Sequence, residues 1–340
     1  MPQPHDAMLW EPLEDKQVHC HLCGHQCRIK PDALGLCRVR RNVDGELKTL
    51  NYESIIAANV DPIEKKPLFH VLPGSESLSV AAVGCNFQCD FCQNWQISQS
   101  PRDGGALDGQ PAPPEDLVAA AMNHNCRSIS YTYTEPTIFF ELAYDTARLA
   151  CEKGLANCFV SNGYMTPRAV ETIAPYLTAI NVDLKAFREE TYQQVMRASL
   201  GPVLDCLRAL REAGIWVEVT TLVVPGMNDS DEELTQIAEF VASLEGDVPW
   251  HVSRFRASYQ RTDGRTTPLA TLERATEIGR SAGLRFIYCG NVVGHASEST
   301  FCPSCGEKLI DRQGFVVSRN DLDAGTCPHC RAEVPGVWSL

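Results

Sequence analysis

Three cysteines, Cys85, Cys89 and Cys92, share one short segment, Gly84-Cys85-Asn86-Phe87-Gln88-Cys89-Asp90-Phe91-Cys92, spaced C-x3-C-x2-C with Phe91 before the last. Three thiolates on such a loop can hold three irons of a [4Fe-4S] cluster, whereas a cluster that only carries electrons normally takes four. The iron left without a protein ligand could then bind and activate another molecule. A zinc site or buried structural cysteines are the alternatives for the same three residues.

The chain has 16 cysteines, and two further groups stand out. Cys20, Cys23, Cys27 and Cys37 form C-x2-C-x3-C-x9-C near the N-terminus, with His19, His21 and His25 among them and Arg28, Lys30, Arg38, Arg40 and Arg41 close by. Zinc, a second [4Fe-4S] cluster, or ligation by only some of the four are all compatible with that spacing. Cys302, Cys305, Cys327 and Cys330 form two Cys-Pro-x-Cys knuckles separated by 21 residues. Two such knuckles suit the closed tetrahedral geometry of structural zinc, with Gly306 available for a left-handed turn. Cys126, Cys151, Cys158, Cys206 and Cys289 stand alone and read as small buried hydrophobes.

Composition narrows the setting. A net charge of −13 over 340 residues argues against a general phosphate-binding surface, so nucleic acid is not the expected partner. No apolar run approaches the roughly 18 residues of a membrane span. The N-terminal residues show no basic stretch followed by an apolar one, so no signal peptide is expected. Many cysteines without a secretory signal point to metal and redox chemistry in a reducing, cytoplasmic setting.

The elements that must position the loop alternate in type. Strand patterns are expected over 77–83, 128–133, 157–161, 179–184, 215–224, 249–255 and 284–288. Helical patterns lie between them, over 115–125, 137–153, 167–175, 202–213, 230–245 and 268–282, several stopped by a glycine such as Gly154, Gly214, Gly246 or Gly283. Alternation at this spacing implies parallel strands with helical crossovers, in too few units for a closed eight-fold barrel. The cysteine loop follows the first strand, and chemistry in such folds gathers at the C-terminal ends of strands.

The loop spacing resembles that of the radical S-adenosylmethionine (SAM) enzymes, which have a partial (β/α)6 barrel with the cluster loop after its first strand. The resemblance extends to other strand ends. Tyr133-Thr134-Glu135-Pro136 stands where that family usually carries Gly-Gly-Glu-Pro; Glu135 matches, and Tyr133 and Thr134 replace the glycines. Ser161-Asn162 and Asp183-Leu184-Lys185 are similar to segments of the pyruvate formate-lyase activating enzyme branch, where they contribute to SAM binding. His251 is a candidate for SAM or substrate contact, and equally a core histidine. Phe87, Phe91 and Trp95 would shield the cluster or simply pack.

Taken together, Cys20 to Cys27, Asp61 to Leu68, Gly84 to Trp95, Tyr131 to Pro136, Gly290-Asn291-Val292 and the terminal ribbon ending at Trp338 resemble the AmmeMemoRadiSam-system radical SAM proteins. That resemblance implies an α/β chain in three parts: a Cys-rich extension over 1–75, a radical SAM partial barrel over 76–295, and a zinc-ribbon-like segment over 296–340. It implies a radical SAM oxidoreductase that binds SAM at the open iron and cleaves it reductively to methionine and a 5′-deoxyadenosyl radical. A reductant such as flavodoxin or ferredoxin would supply the electron. The substrate is expected within the AmmeMemoRadiSam system, a small molecule or a protein side chain, with partner proteins of that system involved. Activation of a glycyl-radical enzyme is the alternative, and a non-catalytic metal-binding or nucleic-acid module a third reading.

Overall fold

The computed structural model describes residues 4–245, 247–262 and 264–340. Gly246, expected just past a helix, lies outside them. At the centre is an eight-stranded sheet made of β1 (Ala57–Pro62), β2 (Glu76–Ala81), β3 (Ser128–Tyr131), β4 (Ala156–Ser161), β5 (Ala179–Asp183), β6 (Trp216–Val223), β7 (Trp250–Arg254) and β8 (Ile287–Gly290). The strands lie side by side in sequence order. Strands β2 to β8 run parallel, and β1 joins the edge antiparallel to β2. The α/β partial-barrel expectation holds, with its seven expected strands. Strand β1 is an addition from N-terminal of the boundary drawn at residue 76.

Parallel strands need long crossovers, and helices supply most of them: α1 (Pro114–Asn123), α2 (Phe140–Glu152), α3 (Pro167–Ile173), α4 (Leu200–Glu212), α5 (Asp231–Ser243) and α6 (Leu269–Ser281). Their starts are written in the sequence. Thr166 and Ser230 each accept a backbone N–H of the turn they open, from Ala169 and Glu233. Leu234, Ile237, Ala238 and Val241 then recur at helical spacing on the buried face of α5. Strands covered on both faces read as near-continuous apolar runs, and every residue of β3 is buried.

Three local readings need correction. The helix expected from Thr137 begins at Phe140, after a 3-10 turn over Pro136–Phe139. That turn forms because the Glu135 side chain caps Thr137 N and Pro136 fixes the first turn. The strand expected from Leu284 begins at Ile287, because the Leu284 amide still closes α6 on Gly279 O, at 3.0 Å. A helical segment over Glu189–Met196 was not expected; it ends at Arg197 in the left-handed region, φ 57°.

The N-terminal part, without assigned elements in the sequence, forms two small three-stranded antiparallel sheets. The C-terminal part is an antiparallel ribbon of Thr300–Phe301, Lys308–Gln313 and Val316–Asn320. It packs a second small core of Leu309, Ile310 and Val334 against Phe69, Phe286 and Tyr288. Residues past it run beside the 70–72 segment, where Leu72 N donates to Val337 O at 2.8 Å and Val337 N to His70 O at 2.7 Å. No helix among the described residues is long and apolar enough to cross a membrane.

Candidate active site

A cavity of about 530 Å³ opens at the C-terminal ends of the strands. Cys85, Cys89 and Cys92 line it, as do Glu135, Ser161, Asn162, Asp183, Lys185 and His251. Each strand end delivers its own group. The register sets Asp183, Thr220, His251 and Tyr288 opposite one another across β5 to β8. All nine sequence-derived residues of the barrel therefore face one space.

The cysteine loop leaves β2 through Gly84, whose φ of 110° favours glycine. Phe87 N points at Cys85 Sγ, 3.3 Å away. Burial raises the thiol pKa of Cys85 and Cys89, that of Cys89 to about 12, with Lys185 pulling Cys89 back down. Phe87 and Phe91 are buried beneath the loop and line the cavity. Trp95 instead stacks on Tyr259, ring centroids 5.1 Å apart.

Glu135 is the hub between strand ends. Its Oε1 accepts from Thr137 N, Thr137 Oγ1 and Ser161 Oγ, and its Oε2 from Asn162 N at 2.8 Å. Burial raises its pKa against those donors. Ser161 Oγ also accepts from Gly163 N at 3.0 Å. Asn162 Nδ2 donates to Asn86 Oδ1 at 2.7 Å, tying the end of β4 to the cysteine loop. The two replaced glycines leave a trace in the backbone. Tyr133 holds φ 62°, the left-handed conformation glycine adopts without strain, and its carbonyl accepts from Asn94 Nδ2 at 2.7 Å.

Lys185 Nζ lies 2.8 Å from Asp183 Oδ2. Burial opposes its charge, but Asp183 and the Cys89 thiol raise its pKa above the usual lysine value. His251 is buried, with Nε2 2.6 Å from Glu218 Oε2 and its ring edge-on to Phe69. It is a core histidine that also forms part of the cavity wall. Glu218, buried in β6, also accepts from the amides of Phe69 and His70.

Several residues here were not marked by the sequence reading. Asp61 accepts from Lys65 at 2.7 Å and Lys66 at 2.6 Å, and from Tyr133 Oη. Against burial, these three hold its carboxyl well below the usual range. Lys66 Nζ also sits 4.9 Å from the Tyr133 ring centroid. Phe315, at the ribbon turn, reaches the cavity, and Glu298 accepts from the next turn residue, Gly314 N, at 3.2 Å. The only sequence signal for the first set was the Asp61 to Leu68 segment. Nothing in the sequence joined the ribbon to the site.

The outer cysteine groups differ from each other. Cys302 and Cys330 lie with sulfurs 3.5 Å apart, Cys305 and Cys327 3.7 Å apart, and all four fall within 4.8 Å of one another. Thiolates sharing one zinc at about 2.3 Å each must lie close in this way. Gly306 holds the expected left-handed φ, 78°. Cys20, Cys23, Cys27 and Cys37 line a separate cavity but do not form so tight a set; neither do Cys85, Cys89 and Cys92. Glu11, His19 and His21 also bring ligand atoms within 4.8 Å of one another, Glu11 being exposed. Of the lone cysteines, Cys126, Cys158, Cys206 and Cys289 are buried as expected, and Cys151 is exposed.

Comparison with known proteins bears on this geometry. Residues 80–241 match the model of the Radical SAM superfamily. The chain is 41% identical over 332 residues to an uncharacterized protein, MJ0808, of Methanocaldococcus jannaschii, covering 97% of this chain and 98% of that one. It is 21% identical over 169 residues to the pyruvate formate-lyase 1-activating enzyme of Escherichia coli K12, covering 47% of this chain and 66% of that enzyme. A crystal structure of a radical SAM methyltransferase from Sphaerobacter thermophilus superposes with a TM-score of 0.52 at 17% identity, over 69% of this chain and 71% of the other.

Proposed function

Starting from the membership of this chain in the radical SAM superfamily, with relatives among the glycyl-radical enzyme activases, we propose that Cys85, Cys89 and Cys92 hold a [4Fe-4S] cluster with one iron open to SAM. Bound together, cluster and SAM supply a 5′-deoxyadenosyl radical. The chemistry belongs to the cofactors; the chain binds, orients and excludes water. The observation that carries the reading is the convergence of one three-cysteine loop and six strand-end polar groups on one cavity. The donor set also fits: Asn86 Nδ2, on the residue after Cys85, is buried without an acceptor, and a bound cluster would bring sulfur acceptors to it.

Each residue then has a role. Lys185, kept charged by Asp183, would face the carboxylate of SAM. Glu135 Oε2, with one protein donor, has capacity left for the SAM ammonium group. Ser161 and Asn162 hold Glu135 in place rather than binding alone. The left-handed Tyr133 keeps the backbone course of the usual glycine, while its phenol locks Asp61 and Lys66 into the wall. His251, fixed by Glu218, positions the floor. The ribbon cysteines would hold structural zinc that keeps Phe315 over the cavity.

The substrate we propose belongs to the AmmeMemoRadiSam system. A site walled by the ribbon, with Lys65, Lys66 and Glu64 at its edge, differs from what a minimal glycyl activase requires. The test is direct. Anaerobically reconstituted protein given reductant and SAM should release 5′-deoxyadenosine, and Cys89→Ala should release none. An active Cys89→Ala protein would overturn the reading. A glycyl radical on an added glycyl-radical enzyme, seen by electron paramagnetic resonance, would replace the substrate assignment with activase function.

A further inference from the structure

The N-terminal cysteines are not part of the SAM site, yet they are fastened to it. Gly84, which opens the cysteine loop, has Val39 and the Cys37 carbonyl against it; a Cβ there would stand 3.1 Å and 3.6 Å from them. Arg102 Nη2 donates both to Leu36 O at 3.0 Å and to Cys85 O at 2.7 Å, so one nitrogen bridges the two segments. His25 Nε2 bonds Asn86 O at 2.9 Å. The backbones beside the two cysteine groups are in contact.

Beside the four cysteines, His25, the buried Arg40, Thr137, Gly35 and the apolar Leu22, Ile29 and Ile138 line this cavity, and the ring of His25 is taken up by Asn86 O. Arg40 is paired with Glu141 and lies 3.4 Å from Cys20 Sγ, while its Nε–H is buried without an acceptor. Two observations bear on what this site holds. Its thiols do not gather as tightly as the ribbon's, which suits ligands on four different irons better than ligands on one ion. Its unpartnered donor calls for an occupant that brings acceptors of its own, as the inorganic sulfides of a cluster do.

We propose that Cys20, Cys23, Cys27 and Cys37 bind a second [4Fe-4S] cluster, fully ligated by protein, which passes electrons to the cluster of the Cys85 loop. This rests on the proposed SAM site. With four thiolates no iron is open, so this cluster does not bind SAM. In the transfer it goes from the +1 to the +2 state while the loop cluster goes from +2 to +1; no bond is made or broken. A low-potential one-electron donor protein, such as reduced flavodoxin or ferredoxin, replaces the electron.

The experiment uses the full chain, reconstituted anaerobically, with iron and zinc counted and the reduced protein examined by electron paramagnetic resonance. A Cys85→Ala/Cys89→Ala/Cys92→Ala variant should keep about half of the wild-type iron, with a cubane signal that SAM does not alter. If it keeps no iron and the protein carries zinc at two sites, the N-terminal cluster is overturned. This variant leaves the N-terminal group intact, so it decides the matter even if that group's own variants misfold. The SAM-site proposal fails separately, through wild-type protein whose signal never responds to SAM. A Cys23→Ser/Cys27→Ser variant should lose reduction of the loop cluster by flavodoxin but keep reduction by dithionite. Equal reduction of both proteins by flavodoxin would overturn the relay.

Discussion

At the scale of single residues the site depends on backbone positions as much as on ligands. Gly163 holds φ 69°, and an added Cβ would come 2.6 Å from Val182 Cγ1. Gly163→Ala should therefore cost roughly 1–3 kcal/mol and loosen Ser161 and Asn162 with it. A urea titration of both proteins checks this, and an unchanged midpoint would mean that the turn relaxes freely. His70 gives a pH signature. It is buried, with Nδ1 2.7 Å from Pro335 O and Nε2 2.6 Å from Tyr288 Oη, and burial lowers its pKa to about 4. The unfolded chain takes up that proton near pH 6.5. Stability should then fall as pH drops from about 6.5 towards 4, and the loss should be complete below that window. His70→Gln should lack this component when denaturation midpoints are followed across pH. Of the site itself, the loop cysteines and the strand-end groups were legible because their spacing and neighbours are local in sequence. Asp61, Lys66 and Glu218 were not, since their meaning comes from partners far along the chain.

At the scale of elements, the order of strands and helices was readable from the alternation of short apolar runs with amphipathic stretches. Errors fell where tertiary bonds override pattern, as when Glu135 reshapes the start of α2. The small N-terminal sheets escaped notice because strands such as Arg40–Val43 carry charged residues and alternate only briefly. Arg312 shows how one element can fasten another. In the ribbon strand Lys308–Gln313 it is buried, donates to Thr300 Oγ1 and Phe69 O at 2.7 Å, and pairs with Glu64. Arg312→Met would leave Glu64 buried without its cation, which should cost about 3–5 kcal/mol. Calorimetry of the reconstituted protein would measure it. A drop below about 1 kcal/mol, the size of an exposed pair, would show that the ribbon is held by its apolar core instead.

At the scale of the whole molecule, three cysteine-bearing parts meet around one cavity, and the ribbon serves as its wall. If the ribbon holds the proposed zinc, Cys305→Ser/Cys330→Ser should leave iron content unchanged while the cluster absorbance bleaches faster in air. Equal bleaching would mean that the wall stands without those two thiols. The cysteine spacing marked three groups along the chain but not their meeting, because spacing reports neighbours along the chain only. The separation of loop and wall also bears on how the protein is made. The Cys85 loop precedes Phe315 by most of the barrel, and synthesis at about 5–20 residues per second leaves the loop uncovered for on the order of ten seconds. Iron delivery to the loop would meet a wider opening during translation than after the ribbon has brought Phe315 to the cavity.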